Sequence, residues 1–515
     1  MLGSRFFPFH VVDSFKGVNS KDSIENIDSG EWDEASINIL SDPQGSLGSR
    51  PGFSAITTAS IGSATAWCGF YQHEAHTGGA SNLYPIGGDS SGKVYQFISN
   101  GYTEIYSGLA STNGINKRYS FFSLDNIAII MDGESLPLSW TGTGSATTWG
   151  TSVTADWGLD WQRYPFMHST VDPRLLYYGT LGDPDTAYTS FINFDDDTQA
   201  LTGACKMGDD MLVGKNNSLY LLQYRGDTPL FRKYRLDAKI GPVCYWVMKE
   251  LPDGRVVFLA DDCNFYMVQG NQIISCGDNI QNVIKDGVKS RLKYAVSGIL
   301  YERNQYWTSF TYTSGSTKND RTVVMDYSKP YNDKWGKLQF PWFIYSIGAN
   351  CFSNMKVSSQ TLLYHGGYTG KMYKNDTGTN DDGVAFSSTY RSKKNSHGDL
   401  SMEKKYDYLA LSYKRQGDYD LNVNIICDGT ANTEKNISQS MLGGLGYQTL
   451  WDKFNWDEGY WASDSDIDTI REIRRQGKLI EVSFGTTGLD ESWLIYNYSI
   501  HAKPLRRGIR VREGS

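Results

Sequence analysis

Side chains able to do chemistry are present in this sequence, but their spacing suits none of the common reactions. His73-Glu74-Ala75-His76 places two imidazoles three residues apart with no third ligand in reach. A zinc helix needs the pair four apart, with a further ligand beyond, so the segment reads as a polar loop. Asp464-Ser465-Asp466-Ile467-Asp468 copies the start of an EF-hand calcium loop, but Thr469 stands where that loop needs glycine and Arg475 where it needs glutamate. Asp195-Asp196-Asp197 and Asp381-Asp382-Gly383 are carboxylate clusters able to hold a cation, and equally the ordinary acidic turns of a hydrated surface. A glycosidase needs two carboxylates flanking one bond, and nothing singles out such a pair. The Ser-x-Asp-x-Gly-x-x-Trp boxes of sialidase propellers, a G-x-S-x-G elbow and a phosphate-binding glycine loop are absent. The expectation is no catalytic, cofactor-binding or metal site, hence not an enzyme, with no hydrolysis of polysaccharide, peptide or nucleic acid.

Residues suited to contacts are more evident. Trp149, Trp157 and Trp161 lie in a stretch rich in Gly, Thr and Trp; exposed on a loop they would anchor a partner, and turned inward they would pack that loop on itself. Leu450 to Trp461 is the most aromatic part of the chain, either an interaction surface or folded core. Lys503, Arg506, Arg507, Arg510 and Arg512 crowd the C-terminal strand, as an edge protected from misaddition or as a dock for an acidic ring partner. The net charge of −8 argues against a general nucleic-acid-coating surface.

The elements that must position these residues are strands. Asp253 to Ile274 contains three short β-runs, Val256 to Ala260, Phe265 to Val268 and Gln272 to Ile274, separated by Asp261-Asp262 and Gly270-Asn271. Val256 to Leu259 is apolar without alternation, so this strand must be buried on both faces, between neighbouring sheets. The pattern of apolar strand, turn and aromatic-bearing strand recurs at Leu83, Ile127, Leu175, Met211, Thr322 and Leu362, at intervals near those of β-propeller blades. Five to seven blades are expected, with a pair of packed sandwiches as the competing arrangement. A chain of 515 residues with 53 Gly, 14 Pro and 14% aromatics has room for such a propeller and a smaller partner. The expected order is an extended lead-in over 1–60, a propeller over 61–394 and, beyond the polar stretch from Arg391, a small β-sandwich over 395–515. Helix content should stay under about 15%. Seven scattered cysteines without C-x-x-C spacing indicate neither zinc nor a disulfide framework. With no signal-peptide core at the N-terminus, synthesis in a cytosol is expected.

Five segments together resemble a known family: G-V-N-S from Gly17, the run from Ala35 to Phe53 ending S-R-P-G-F, M-L-V-G-K-N-N-S-L-Y-L-L from Met211, A-K-I-G-P-V-C from Ala238, and D-G-R-V-V-F-L-A-D-D-C-N-F-Y-M-V-Q-G-N-Q-I from Asp253. They are similar to the propeller-containing tail nozzle proteins of short-tailed bacteriophages, also called stabilisation proteins or tail tubular protein B. One departure is Asp262-Cys263 where Asp-Gly would stand at a hairpin turn. The resemblance implies a structural virion protein of the tail, a homohexameric ring below portal and head-to-tail adaptor that touches tail fibres or tailspikes and extends the DNA ejection channel, without chemistry or a small-molecule substrate. The lead-in, the tryptophan stretch and the C-terminal domain would form its contacts, and DNA would slide past a net negative lumen without specific binding. The alternative is a carbohydrate-binding or glycan-degrading propeller of a phage tail, which leaves the lead-in from Gly17 to Phe53 unexplained.

Overall fold

The computed structural model describes residues 8–12, 14–42, 45–56, 60–62, 65–77, 80–98, 101–149, 153–184, 188–237, 239–397, 400–428, 434–441 and 467–505. Strand accounts for 53% and helix for 5%, so the protein is all-β. Seven four-stranded antiparallel sheets follow one another along the chain. Blades one to six begin with the inner strands Trp67–Thr77, Ser120–Leu124, Ala155–Trp161, Leu201–Met207, Lys249–Glu250 and Val296–Leu300. Blade seven takes Cys351–Val357, Gln360–Gly366 and Met372–Asn375 in order, and receives its fourth strand, Phe53–Ala55, from the lead-in. Phe53 pairs with Asn375 and Ala55 with Tyr373. Each inner strand touches the next, and Cys351–Val357 touches Trp67–Thr77, so the ring closes at seven blades, the upper end of the expected range.

Blade five shows why its sequence is apolar without alternation. Val256–Leu259 is buried throughout, and successive side chains point to opposite faces of the strand. Val256 and Phe258 pack with Leu212, Leu219 and Leu221 of blade four, while Val257 and Leu259 pack with Tyr306, Val323 and Val324 of blade six. At the next turn Cys263 takes φ 65°, the left-handed conformation that glycine adopts most easily; the cysteine follows the Asp-Gly geometry with a side chain that is buried.

The C-terminal unit is a sandwich of two sheets. One contains Lys404–Tyr413, Ile467–Gly477 and Leu494–Pro504; the other runs Ser388–Arg391, Ile480–Thr486, Asp420–Cys427, Lys435–Ser440. Two expected boundaries shift. Ser388–Arg391 belongs to the sandwich, so that unit begins before residue 395. The charged run from Arg391 resembled a linker, but Ser388 and Tyr390 turn inward while Arg391 pairs with Glu481 at 2.5 Å. Nor is the lead-in a separate extended segment. Pro8–Val12, Ile39–Ser41 and Leu47–Ser49 add strands to the first sandwich sheet, and Phe53–Ala55 completes the propeller. Trp32 of the lead-in stacks on Phe343 of blade six at 6.0 Å and meets Tyr390 of the sandwich at 5.9 Å, so one core runs through all three.

Candidate functional site

Several of the residues singled out above are held in structural contacts. His73 and His76 lie on strand Trp67–Thr77, not in a loop. Three residues apart on a strand means opposite faces: His73 is buried with Nδ1 2.8 Å from Ser123 Oγ, and His76 is exposed. Asp196 and Asp197 are engaged by Lys215 and Arg235, with Lys215 Nζ 2.7 Å from Asp197. Asp382 pairs with Lys371 at 3.0 Å. Among the described residues no three His, Cys, Asp or Glu side chains gather as a metal site.

The expected tryptophan contact surface is corrected. Trp149, Trp157 and Trp161 are all buried. Trp157 is sandwiched between His168 at 4.9 Å and Tyr245 at 5.3 Å, both rings nearly parallel to it, and Trp149 packs edge-on against Tyr188. Neighbouring blades cover what Gly-Thr-rich composition made look like loop, so these rings turn inward and pack rather than standing exposed. Residues 442–466, which include Leu450 to Trp461 and Asp464 to Asp466, lie outside the described residues, as do Arg506, Arg507, Arg510 and Arg512.

The motifs of the lead-in converge on one joint. Arg50, 1% exposed, donates from Nη1 and Nη2 to the two carboxylate oxygens of Asp381 at 2.9 and 2.7 Å. Its Nε donates to Asn38 Oδ1 at 2.9 Å, and its guanidinium lies 4.0 Å from the Phe386 ring centre. Asn38 in turn donates to Ser346 Oγ and the Ser387 carbonyl. At Gly52 a Cβ would stand 1.7 Å from the Asn380 carbonyl oxygen, so only glycine lets the chain pass before Phe53 enters blade seven. Deeper in, Glu31 accepts hydrogen bonds from Asn19 (2.6 Å), Asn279 (3.1 Å) and Tyr331 (2.7 Å). This clamp ties the lead-in to blades five and six.

The closing strand is also held by a histidine. His365, buried in blade seven, meets Phe53 edge-on at 4.8 Å and stacks on Tyr373 at 5.0 Å; its Nδ1 lies 2.7 Å from Asn375 Oδ1. Burial lowers its pKa from 6.5 to about 4. Between those values the unfolded chain binds the proton and the folded one does not. Stability is therefore unaffected above pH 6.5 and falls as pH drops from 6.5 to about 4, by about 3 kcal/mol in all. Urea denaturation of wild type and His365→Gln at pH 7 and pH 4.5 should show a smaller acid loss in the variant; equal losses would remove His365 from the account.

Sequence reasoning missed the hub. The 3-10 turn Tyr245–Val247 crosses the propeller axis: Tyr245 Oη donates to the Gly158 carbonyl of blade three at 3.1 Å, and Trp246 Nε1 to the Tyr119 carbonyl beside blade two at 3.1 Å. Beyond the turn an axial cavity of about 170 Å³ remains, walled by inner-strand residues of blades one, two, six and seven and reached by Arg118 and Lys249. A lysine opening a two-residue strand and an arginine just before another carry no pattern by which they could be found.

No family model matches the sequence, and no curated protein does. Among solved structures it is similar to YCF48 bound to D1 peptide (10% identity, covering 63% of this chain and 97% of that one, TM-score 0.39). It is similar also to YCF48 from Cyanidioschyzon merolae (10%, 63% and 98%, TM-score 0.37) and to BBS1N in complex with ARL6DN (8%, 64% and 99%, TM-score 0.39).

Proposed function

We propose that this chain is a structural virion protein, the nozzle of a short-tailed phage tail, which assembles as a sixfold ring and extends the DNA ejection channel below the portal and adaptor. The observation that carries this reading is the joint itself. Of the five segments that resemble the nozzle family, the two between Gly17 and Phe53 belong to a strap that binds propeller to sandwich, and the one from Asp253 to Ile273 lies in blade five, beside the clamp. A protein that must hold a rigid shape under the forces of packaging and ejection needs such a strap. The propeller axis is crossed by Tyr245 and Trp246, so in a ring the DNA path runs between protomers. A net charge of −8 disfavours retention of phosphates along that path.

Mass photometry of the purified chain with its head-to-tail adaptor tests this. A complex holding six copies is expected, with DNA binding too weak to detect at physiological salt. A chain that stays monomeric with the adaptor and is missing from tails in images of purified particles would overturn the reading.

A further inference from the structure

Buried cations in this protein normally carry carboxylates. Lys117 holds Asp132 at 2.8 Å and Glu134 at 3.7 Å, Lys215 holds Asp197 at 2.7 Å, and Arg50 holds Asp381. The axial cavity breaks that habit. Arg118 and Lys249 both line it, and no aspartate or glutamate does. Arg118 is 5% exposed. Its Nη1 and Nη2 donate to the carbonyls of Ile115, Lys117 and Tyr294 at 2.8 to 3.2 Å, and its Nε is buried without a partner. Lys249 is only partly buried; its ammonium has no hydrogen bond or ion pair with any described residue, and desolvation lowers its pKa.

An ionised group held away from water without a counter-charge is strongly disfavoured. An amine can escape by giving up its proton, but a guanidinium does not deprotonate in a protein. Arg118 thus leaves a permanent positive charge on the axis. Phe70, Phe121 and Phe352 supply apolar wall, which limits screening by bulk salt. The volume holds about six waters at roughly 30 Å³ each, or a tetrahedral oxyanion with a few. An anion bound beside it would favour the protonated ammonium of Lys249, and the two cations, with no acid lining the cavity, would then match two negative charges.

We propose that this cavity binds a small dianionic oxyanion of phosphate's size, with the Lys249 ammonium as its charged donor and Arg118 as the fixed positive charge beside it. The site is independent of the ring assembly proposed above, so either stands if the other fails.

Isothermal titration calorimetry of the full chain, freed of oxyanions in chloride buffer and titrated with inorganic phosphate at constant ionic strength, tests it. Saturable binding of one phosphate per chain is expected, with a thermal unfolding midpoint that rises with phosphate. Lys249→Met should weaken binding by about tenfold or more, since it removes a charge-assisted donor, and Lys249→Arg should retain it. Ser353→Asp, which puts a competing carboxylate in the cavity wall, should abolish binding and keeps the test decisive if Lys249→Met does not fold. Heats no larger than those of sodium chloride in the wild type, or equal binding by wild type and Ser353→Asp, would overturn the proposal.

Discussion

Phe258→Asp is expected to yield no soluble, assembled protein. Phe258 is fully buried on the face of blade five that packs on Leu212, Leu219 and Leu221, and its ring stacks on Tyr266 at 6.0 Å. Removing a buried phenylalanine side chain costs about 3–5 kcal/mol, and an unpaired carboxylate left in its place adds a desolvation cost of several kcal/mol more. The sum is comparable to the whole stability of a typical domain, about 5–15 kcal/mol. Propellers feel such a change acutely because each blade is buried against two neighbours, so a local defect unseats the ring. Val171→Asp provides the control: Val171 is 74% exposed, and the same chemical change there should move stability by no more than about 0.5 kcal/mol. Soluble, correctly folded Phe258→Asp protein by size exclusion and circular dichroism would show that blade five does not depend on this contact.

Arg50→Met is expected to loosen the joint between lead-in, propeller and sandwich. The substitution keeps length and apolar stem but leaves Asp381, whose side chain is 15% exposed, without its bidentate partner and Asn38 without its Nε–H donor. Breaking one side of such a buried pair costs about 3–5 kcal/mol, most of it from the stranded carboxylate. Because Phe53–Ala55 enters blade seven three residues after Arg50, the closing strand should detach at lower urea than the remaining blades unfold. A urea midpoint well below wild type is expected, with part of the loss recovered in Arg50→Met/Asp381→Asn, where no charge is stranded. If the single variant unfolds with the wild-type midpoint, or the double variant recovers nothing, the latch is not what holds the strap.

Local pattern was enough for much of this architecture. The apolar run Val256–Leu259 announced a strand covered on both sides, because side chains alternate between faces and water tolerates neither face. The recurrence of strand, turn and aromatic strand announced repeated sheets, and Asp262-Cys263 marked a turn even with cysteine in glycine's place. In the sandwich, Leu421, Val423 and Ile425 alternate in the sequence with Asn422 and Asn424, the pattern of a half-buried strand, and those three are buried. These signals are legible because each residue's environment follows from neighbours a few positions away.

What depended on distant partners was not legible. Phe53–Ala55 is three residues long and pairs across more than three hundred residues of chain; so short a strand has no periodicity of its own, and only ring closure makes it blade seven's edge. Trp149, Trp157 and Trp161 sat in loop-like composition, yet their burial was decided by the blades packed over them. Arg50 meets Asp381, Glu31 meets Asn279, and Lys249 with Arg118 meets no acid at all, through contacts that exist only once seven sheets surround an axis. Sequence by itself determined which segments are strands and where they turn, since those are short-range consequences of side-chain sterics and hydropathy. The number of blades, the strap that joins the two units and the charged cavity on the axis were decided by the tertiary structure, because long-range pairing and the desolvation of charge are properties of the assembled chain.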